Sequence, residues 1–263
     1  MANKKFKCNV CGYVHEGATA PESCPTCKAP ASAFVEIKAE KKGLSTNSNA
    51  YTIIYAAVLV VIVAFLLAFV SSSLKERQDT NVKLDTMKQI LASVNVQATD
   101  VEAEFNKNVK DMLLQADGTL KENDAAFATS YGAEFKNERY HVFVVNTDKG
   151  TKYVFPLSGN GLWGGIWGYV SVNDDKNTVY GTYFSHESET PGLGAEITTA
   201  AFQQPFVGKK VCDANGVALT VVKNGNAQGD SQVDGISGGT LTSNGVADML
   251  SSCLNNYKSF LNK

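Results

Sequence analysis

Surplus positive charge is absent from this sequence: 24 Lys and Arg stand against 26 Asp and Glu, a formal net charge of -2. Surfaces that hold nucleic acid are usually strongly basic, so no nucleic-acid partner is expected. Also missing is a dinucleotide Gly fingerprint after a predicted strand, so NADH is not expected to bind this chain. Charge of either sign is absent from "YTIIYAAVLVVIVAFLLAFV", Tyr51 to Val70. Finally, "DGISGGTLTSNGV", Asp234 to Val246, has no His, Cys or basic residue, yet gathers two threonines, two serines and four glycines. The plainest reading of that segment is a flexible loop ending in a helix cap, since Ser, Thr and Gly favour both. Hydrophobic residues make up 44% of the chain, which supports a packed core and excludes wholesale disorder.

The uncharged run divides the protein. Twenty helical residues extend about 30 Å, the hydrocarbon thickness of a bilayer. The run begins too far into the chain for a cleaved signal peptide, and a buried soluble helix would rarely lack charge for so long. A single membrane span over 51–73, in contact with lipid, is the expectation. Before it come a Cys-rich piece, residues 1–37, and a polar linker, 38–50. After it, Leu84, Met87, Ile90, Leu91 and Val94 have helical spacing, so the helix should continue out of the membrane into a globular domain over 74–263.

The N-terminal piece, "FKCNVCGYVHEGATAPESCPTCKAP", holds two C-x-x-C pairs: Cys8 and Cys11, then Cys24 and Cys27. Each pair can turn two thiolates onto one ion, and two pairs complete a tetrahedral sulfur site. Four unrelated cysteines or two disulfides are the alternative. So short a piece buries little apolar area, so a metal would supply much of its folding free energy. Spacing alone accepts iron or zinc. His15, between the pairs, reads as a surface residue. With its aromatic at Phe34, the segment resembles the rubredoxin-like domain of rubrerythrins, which implies one iron held by four sulfurs.

In the last domain, "YHVFVV" and "TKYVFPL" flank "NTDKG", and "IWGYVSV" and "TVYGTYFSH" flank "NDDKN", each a strand–turn–strand pattern. "VALTVV" reads as a further strand, and Val246, Leu250, Leu254 and Tyr257 mark a closing helix. The fold class is α+β with a mainly antiparallel sheet.

Four segments in order, "GNGLWGG" (159–165), "HESETPGLGAEI" (186–197), "FVGKK" (206–210) and "DGISGGTLTSNGV" (234–246), carry a resemblance to a known family. Together they resemble the flavin-binding domain of NqrC, a component of the sodium-translocating NADH:quinone reductase (Nqr). The resemblance covers roughly 51–263. It implies FMN joined through its phosphate to the hydroxyl of Thr240, attached by a separate flavin transferase of the ApbE type. Asp234, Ser237, Gly238, Gly239, Leu241 and Thr242 share that motif. Glu189, Thr190, Gly192, Leu193 and Gly194 are expected beside the flavin, and Trp163 is either a core aromatic or part of the flavin's surroundings. Lys209 and Lys210 read most simply as solvated charges. Gly239 stands where the family usually has Ala, and the Cys-rich piece has the look of a fusion.

Three Lys or Arg lie on each side of the span, so charge does not set its orientation. Free thiolates suit a reducing cytoplasm, which puts the N-terminus inside and the flavin domain on the periplasmic side. In that compartment Cys212 and Cys253 could pair or remain free thiols. The implied role is an electron relay among the other subunits of the complex. The corresponding flavin protein of the Rnf complex, or a non-redox adaptor with a zinc ribbon, are the alternatives.

Overall fold

The computed structural model describes residues 4–37, 46 and 48–262. Most of the expected 38–50 linker lies outside the described residues. The chain divides into two compact units, Met1–Ser73 and Leu74–Lys263.

The first unit opens with a three-stranded antiparallel sheet in the order β2-β1-β3, from β1 (Lys4–Cys8), β2 (Val14–Gly17) and β3 (Phe34–Ile37). Among residues 4–37 only Cys8 and Cys24 are buried. No apolar core exists there to hold the sheet. Helix α1 (Asn49–Ser93) follows, 45 residues without a break and about 68 Å long. It takes in the end of the expected linker and continues well past residue 73. None of its most apolar 18-residue window is buried, as a lipid-facing segment requires. Its last turns differ: Met87, Ile90 and Leu91 are buried, Leu84 is half-buried, and Val94 is buried just beyond the end.

The second unit is built on a six-stranded antiparallel sheet. Its chain order is α2 (Val101–Asn108), β4 (Val109–Leu114), β5 (Leu120–Glu122), α3 (Tyr131–Lys136), β6 (His141–Thr147), β7 (Gly150–Asn160), β8 (Gly165–Val172) and β9 (Val179–His186). The spatial order is β5-β4-β6-β7-β8-β9, and the two expected hairpins are β6–β7 and β8–β9. Strand alternation divides the core between the two faces. Val154 of β7 and Tyr169 of β8 pack with Met87, Ile90 and Leu91 of α1. Phe155, Leu157, Ile166 and Val170 face the other way, towards Val246, Leu250 and Leu254.

The remaining elements are α4 (Ala200–Gln203), β10 (Cys212–Asp213), β11 (Gly216–Val217), β12 (Thr220–Val222), β13 (Gln232–Asp234), α5 (Thr240–Asn255) and α6 (Lys258–Leu261). Val246, Leu250 and Leu254 of the expected closing helix lie on α5, and Tyr257 follows its end; all four are buried. "VALTVV" is not one strand. The amides of Ala218 and Leu219 both donate to the Val211 carbonyl, 2.9 and 3.1 Å, which breaks it in two. β11 then pairs antiparallel with β10, and β12 pairs parallel with β13. A second expectation needs correcting. Gly159, Gly161 and Gly164 do have fingerprint spacing after a strand, but they form the β7–β8 hairpin, where the Gly161 amide donates to the Gly164 carbonyl at 2.8 Å. No helix follows to receive a dinucleotide phosphate.

Candidate functional site

In the first unit the two C-x-x-C turns are near copies. The amide of Gly12 donates to the Cys8 carbonyl at 2.9 Å, and that of Lys28 to the Cys24 carbonyl at 2.8 Å. Both residues take the left-handed conformation, φ +77° and +58°. These turns bring the sulfurs of Cys8, Cys11, Cys24 and Cys27 within 4.8 Å of one another. Sγ–Sγ distances are 3.7 Å for Cys8–Cys27 and 3.5 Å for Cys11–Cys24. A tetrahedron with metal–sulfur bonds of about 2.3 Å has edges of about 3.8 Å, so the four thiols fit one ion. The crowded thiols share their protons unevenly: burial raises Cys24, but the amides of Cys27 and Thr26 outweigh it and bring it down to about 6, while the neighbouring thiols push Cys27 up to about 12. His15 is half-buried on β2 and outside the cluster.

In the second unit, three segments distant in sequence converge on a cleft of about 140 Å³. The β7–β8 turn contributes Leu162 and Trp163. The loop after β9 contributes Glu189, Thr190, Leu193 and Gly194, and the start of α5 contributes Gly238, Gly239, Thr240, Leu241 and Thr242. Buried Glu189 ties the three together. Its Oε1 accepts the Trp163 amide at 2.8 Å, and its Oε2 accepts the Thr242 hydroxyl at 2.6 Å. Burial alone would raise its pKa, yet the Thr242 hydroxyl and the amides of Trp163 and Leu162 hold it below the ordinary carboxylate value. Gly161 and Gly194 make room for this carboxylate, because a Cβ at either would run into its oxygens.

The hydroxyls of 234–246 divide into two kinds. Thr242 and Ser243 are buried and used internally: the Ser243 Oγ accepts the Ile236 amide and donates to the Gly239 carbonyl, both at 2.9 Å. Ser237 and Thr240 are exposed, and of these two only Thr240 lines the cleft. Thr240 is the first residue of α5, and Gly239 provides no side-chain cap. The first-turn amides are therefore the ones that a helix leaves without an internal acceptor.

Asp234, Gly192, Lys209, Lys210, Cys212 and Cys253 lie outside the cleft. The Asp234 Oδ1 accepts the amides of Asn226 and Ala227, 2.9 Å each, and so fixes the preceding loop. The Gly192 amide donates to Glu196 Oε1 at 3.2 Å, in a turn with φ +76°. Trp163 is 67% exposed, which rules out the core reading. Lys209 donates to the Gly229 carbonyl, and Lys210 bonds to the Thr178 hydroxyl. Cys212 and Cys253 stand as separate thiols, with Cys253 donating to the Ser158 carbonyl. Leu162, beside Trp163, is a wall residue that the sequence reading does not single out; an apolar residue next to an exposed Trp in a glycine loop is the available signal.

Comparisons with known proteins identify both domains. Residues 6–35 match the rubrerythrin, rubredoxin-like domain, and residues 161–255 match the FMN-binding domain. The C-type component of the Na(+)-translocating NADH-quinone reductase, NqrC, of Haemophilus ducreyi is 34% identical over 224 residues, 76% of this chain and 87% of that protein. The chain belongs to the NqrC family. The Vibrio vulnificus member is 47% identical over 105 residues, 39% of this chain and 41% of that protein. The crystal structure of the Parabacteroides distasonis member is similar with a TM-score of 0.67 at 44% identity, covering 72% of this chain and 98% of that one. Shewanella oneidensis NqrC gives 0.57 at 29% identity, covering 68% and 96%. Membership makes this chain part of an oxidoreductase complex, with a flavin-binding domain and one helix able to cross a membrane.

Proposed function

We propose that this chain carries FMN as a phosphoester on Thr240 and relays single electrons within the sodium-translocating NADH:quinone reductase. The observation that carries the reading is the position of Thr240, the one hydroxyl of 234–246 that is both exposed and in the cleft. Its place at the first position of α5 suits a phosphate, because first-turn amides and the positive end of the helix dipole favour an anion there. The ester needs no base in this chain: a flavin transferase of the ApbE type supplies the chemistry, and the small residues Gly238 and Gly239 leave the hydroxyl open to it. Trp163, Leu193 and Leu241 offer an apolar wall for a flat ring, with Thr190 and Gly194 beside it. Glu189 and Thr242 hold that wall to the helix. FMN, when bound, would take up and release electrons one at a time.

The four-thiolate unit is assigned iron, a second one-electron centre. Reduced thiolates favour the cytoplasm for it, and the flavin unit then lies on the periplasmic side of the inner membrane. The partners are the other subunits of the complex, the transferase and the lipid around α1.

The test is a denaturing gel of the protein made with the transferase. Flavin fluorescence should migrate with the wild-type chain and be absent from a folded Thr240→Ala variant. Fluorescence retained by that variant would reassign the attachment residue.

A further inference from the structure

A second, larger cavity of about 610 Å³ lies in the Leu74–Lys263 unit and shares no lining residue with the flavin cleft. One wall is a face of α1, where Val82, Asp85 and Gln89 follow one another at helical spacing. Facing them are Trp167 and Tyr169 of β8, with Glu187 just beyond β9. The size suits an inserted group rather than a few waters.

The chemistry of the wall is one-sided. Asp85 and Glu187 line it, no Lys, Arg or His does, and neither carboxylate has an ion-pair partner among the described residues. Asp85 accepts only a neutral donor, the Gln89 amide, at 2.6 Å. Tyr169 is 2% exposed and lines the cavity; among the described residues the sealed hydroxyl without a partner is that of Tyr257, not that of Tyr169. Burial pushes the Tyr169 phenol far above its ordinary value, so it stays protonated and can donate into the cavity. A buried Tyr hydroxyl usually finds an acceptor. Trp167, by contrast, already donates to the Gln89 Oε1 at 3.0 Å. Two carboxylates without a cation repel phosphates and other anions. Both carboxylates are exposed, and Glu187 accepts the Gly165 amide at 3.4 Å; a neutral apolar molecule would leave their two negative charges uncompensated. A cation on an apolar body answers them, and the aromatic walls add cation–π attraction. A peptide carbonyl next to that cation answers Tyr169.

We propose that this cavity is a socket for a Lys or Arg side chain carried by an apolar polypeptide segment of another protein of the complex. The inference rests on membership of the complex and not on the flavin reading, since the cavity and the cleft are separate.

The test uses the intact complex in membranes, with a photo-crosslinking amino acid in place of Val82. The expected product joins this chain to a different protein of the complex, and sequencing should find a Lys or Arg within the joined segment. The isosteric double variant Asp85→Asn, Glu187→Gln should lower the yield by roughly tenfold, because it removes the attraction while keeping the shape. FMN content, read from gel fluorescence, should stay constant in that variant, which separates this result from any failure of the flavin reading. Crosslinks to lipid, crosslinks to a second copy of this chain, no crosslink, or a yield unchanged by the double variant would each overturn the proposal.

Discussion

The two units hold their sites in opposite ways. Around the four cysteines the protein has almost nothing else inside: Cys8 and Cys24 are the only buried residues of 4–37. The metal site is therefore also the core. In the second unit the cleft lies at the edge of a core that is complete without a ligand, with Phe155, Leu157, Ile166, Leu250 and Leu254 packed between β7, β8 and α5. On this account a metal should be a condition of folding for residues 4–37, and a flavin an addition to the second unit.

The sharpest way to break this contrast is to remove one ligand from each site. In Cys8→Ser residues 1–37 should lose their metal and unfold, seen as loss of metal by elemental analysis and rapid proteolysis of that segment. Flavin loading of the second unit should not change. Thr240→Ala should do the reverse, abolishing loading with the melting of the second unit almost unaltered. A segment 1–37 that stays folded without metal would end the comparison.

A smaller effect is expected at Glu189. Glu189→Ala leaves the Thr242 hydroxyl and the Trp163 amide without their acceptor, at a cost of about 2–4 kcal/mol in the second unit's stability. Glu189→Gln preserves both bonds, since a Gln oxygen can accept the amide while its NH2 donates to Thr242, and should cost less than about 1 kcal/mol. Denaturant melts of flavin-free protein would separate the two. Equal losses would mean that charge, and not the tie between segments, is what Glu189 provides.

Next come the glycines before Thr240. Gly238 has φ +79°, so Gly238→Ala should cost about 1–2 kcal/mol and reduce flavin loading. Gly239 has φ -105°, open to any residue, and the atoms nearest to a Cβ there belong to Ile236 and the Leu193 backbone, at 3.0–3.3 Å. Gly239→Ala should load as the wild type does, after a small shift of Ile236. Loading assays on the pair would contradict this account if Gly239→Ala were the worse of the two.

The smallest effect is a pH trend independent of cofactor. His141 is fully buried, with Nδ1 2.8 Å from Asp111 and Nε2 3.1 Å from Glu134. Burial lowers its pKa, but the two carboxylates outweigh it and the folded-state value is raised. Its stabilisation is therefore complete below the unfolded value of about 6.5 and fades as pH rises through the higher folded value. His141→Gln should remove that trend, and flavin-loaded and Thr240→Ala proteins should share it. Melting temperatures across neutral to alkaline pH check both.

Legibility in the sequence followed the same division. The metal site could be read from spacing because each C-x-x-C turn is local and the four sulfurs need only two turns to meet. The flavin cleft draws on residues 162 to 242, and no spacing rule brings Glu189 to Thr242; the resemblance implied that both motifs lie near a flavin but not the bond between them. The two long hairpins and α5 showed in alternation and helical periodicity. The break in "VALTVV" did not show, because it comes from two amides turning to Val211, a tertiary contact. Nor did the large cavity beside α1, whose walls come from five separate stretches of chain.

The central claim is the bond at Thr240, and peptide mass spectrometry tests it most directly. Trypsin should release residues 224–258 as one peptide, because no Lys or Arg lies between Lys223 and Lys258. Protein made with the transferase should yield that peptide heavier by one FMN less one water, with fragment ions placing the addition on Thr240. An unmodified peptide, or an addition on Ser237, Thr242 or Ser243, would contradict the account.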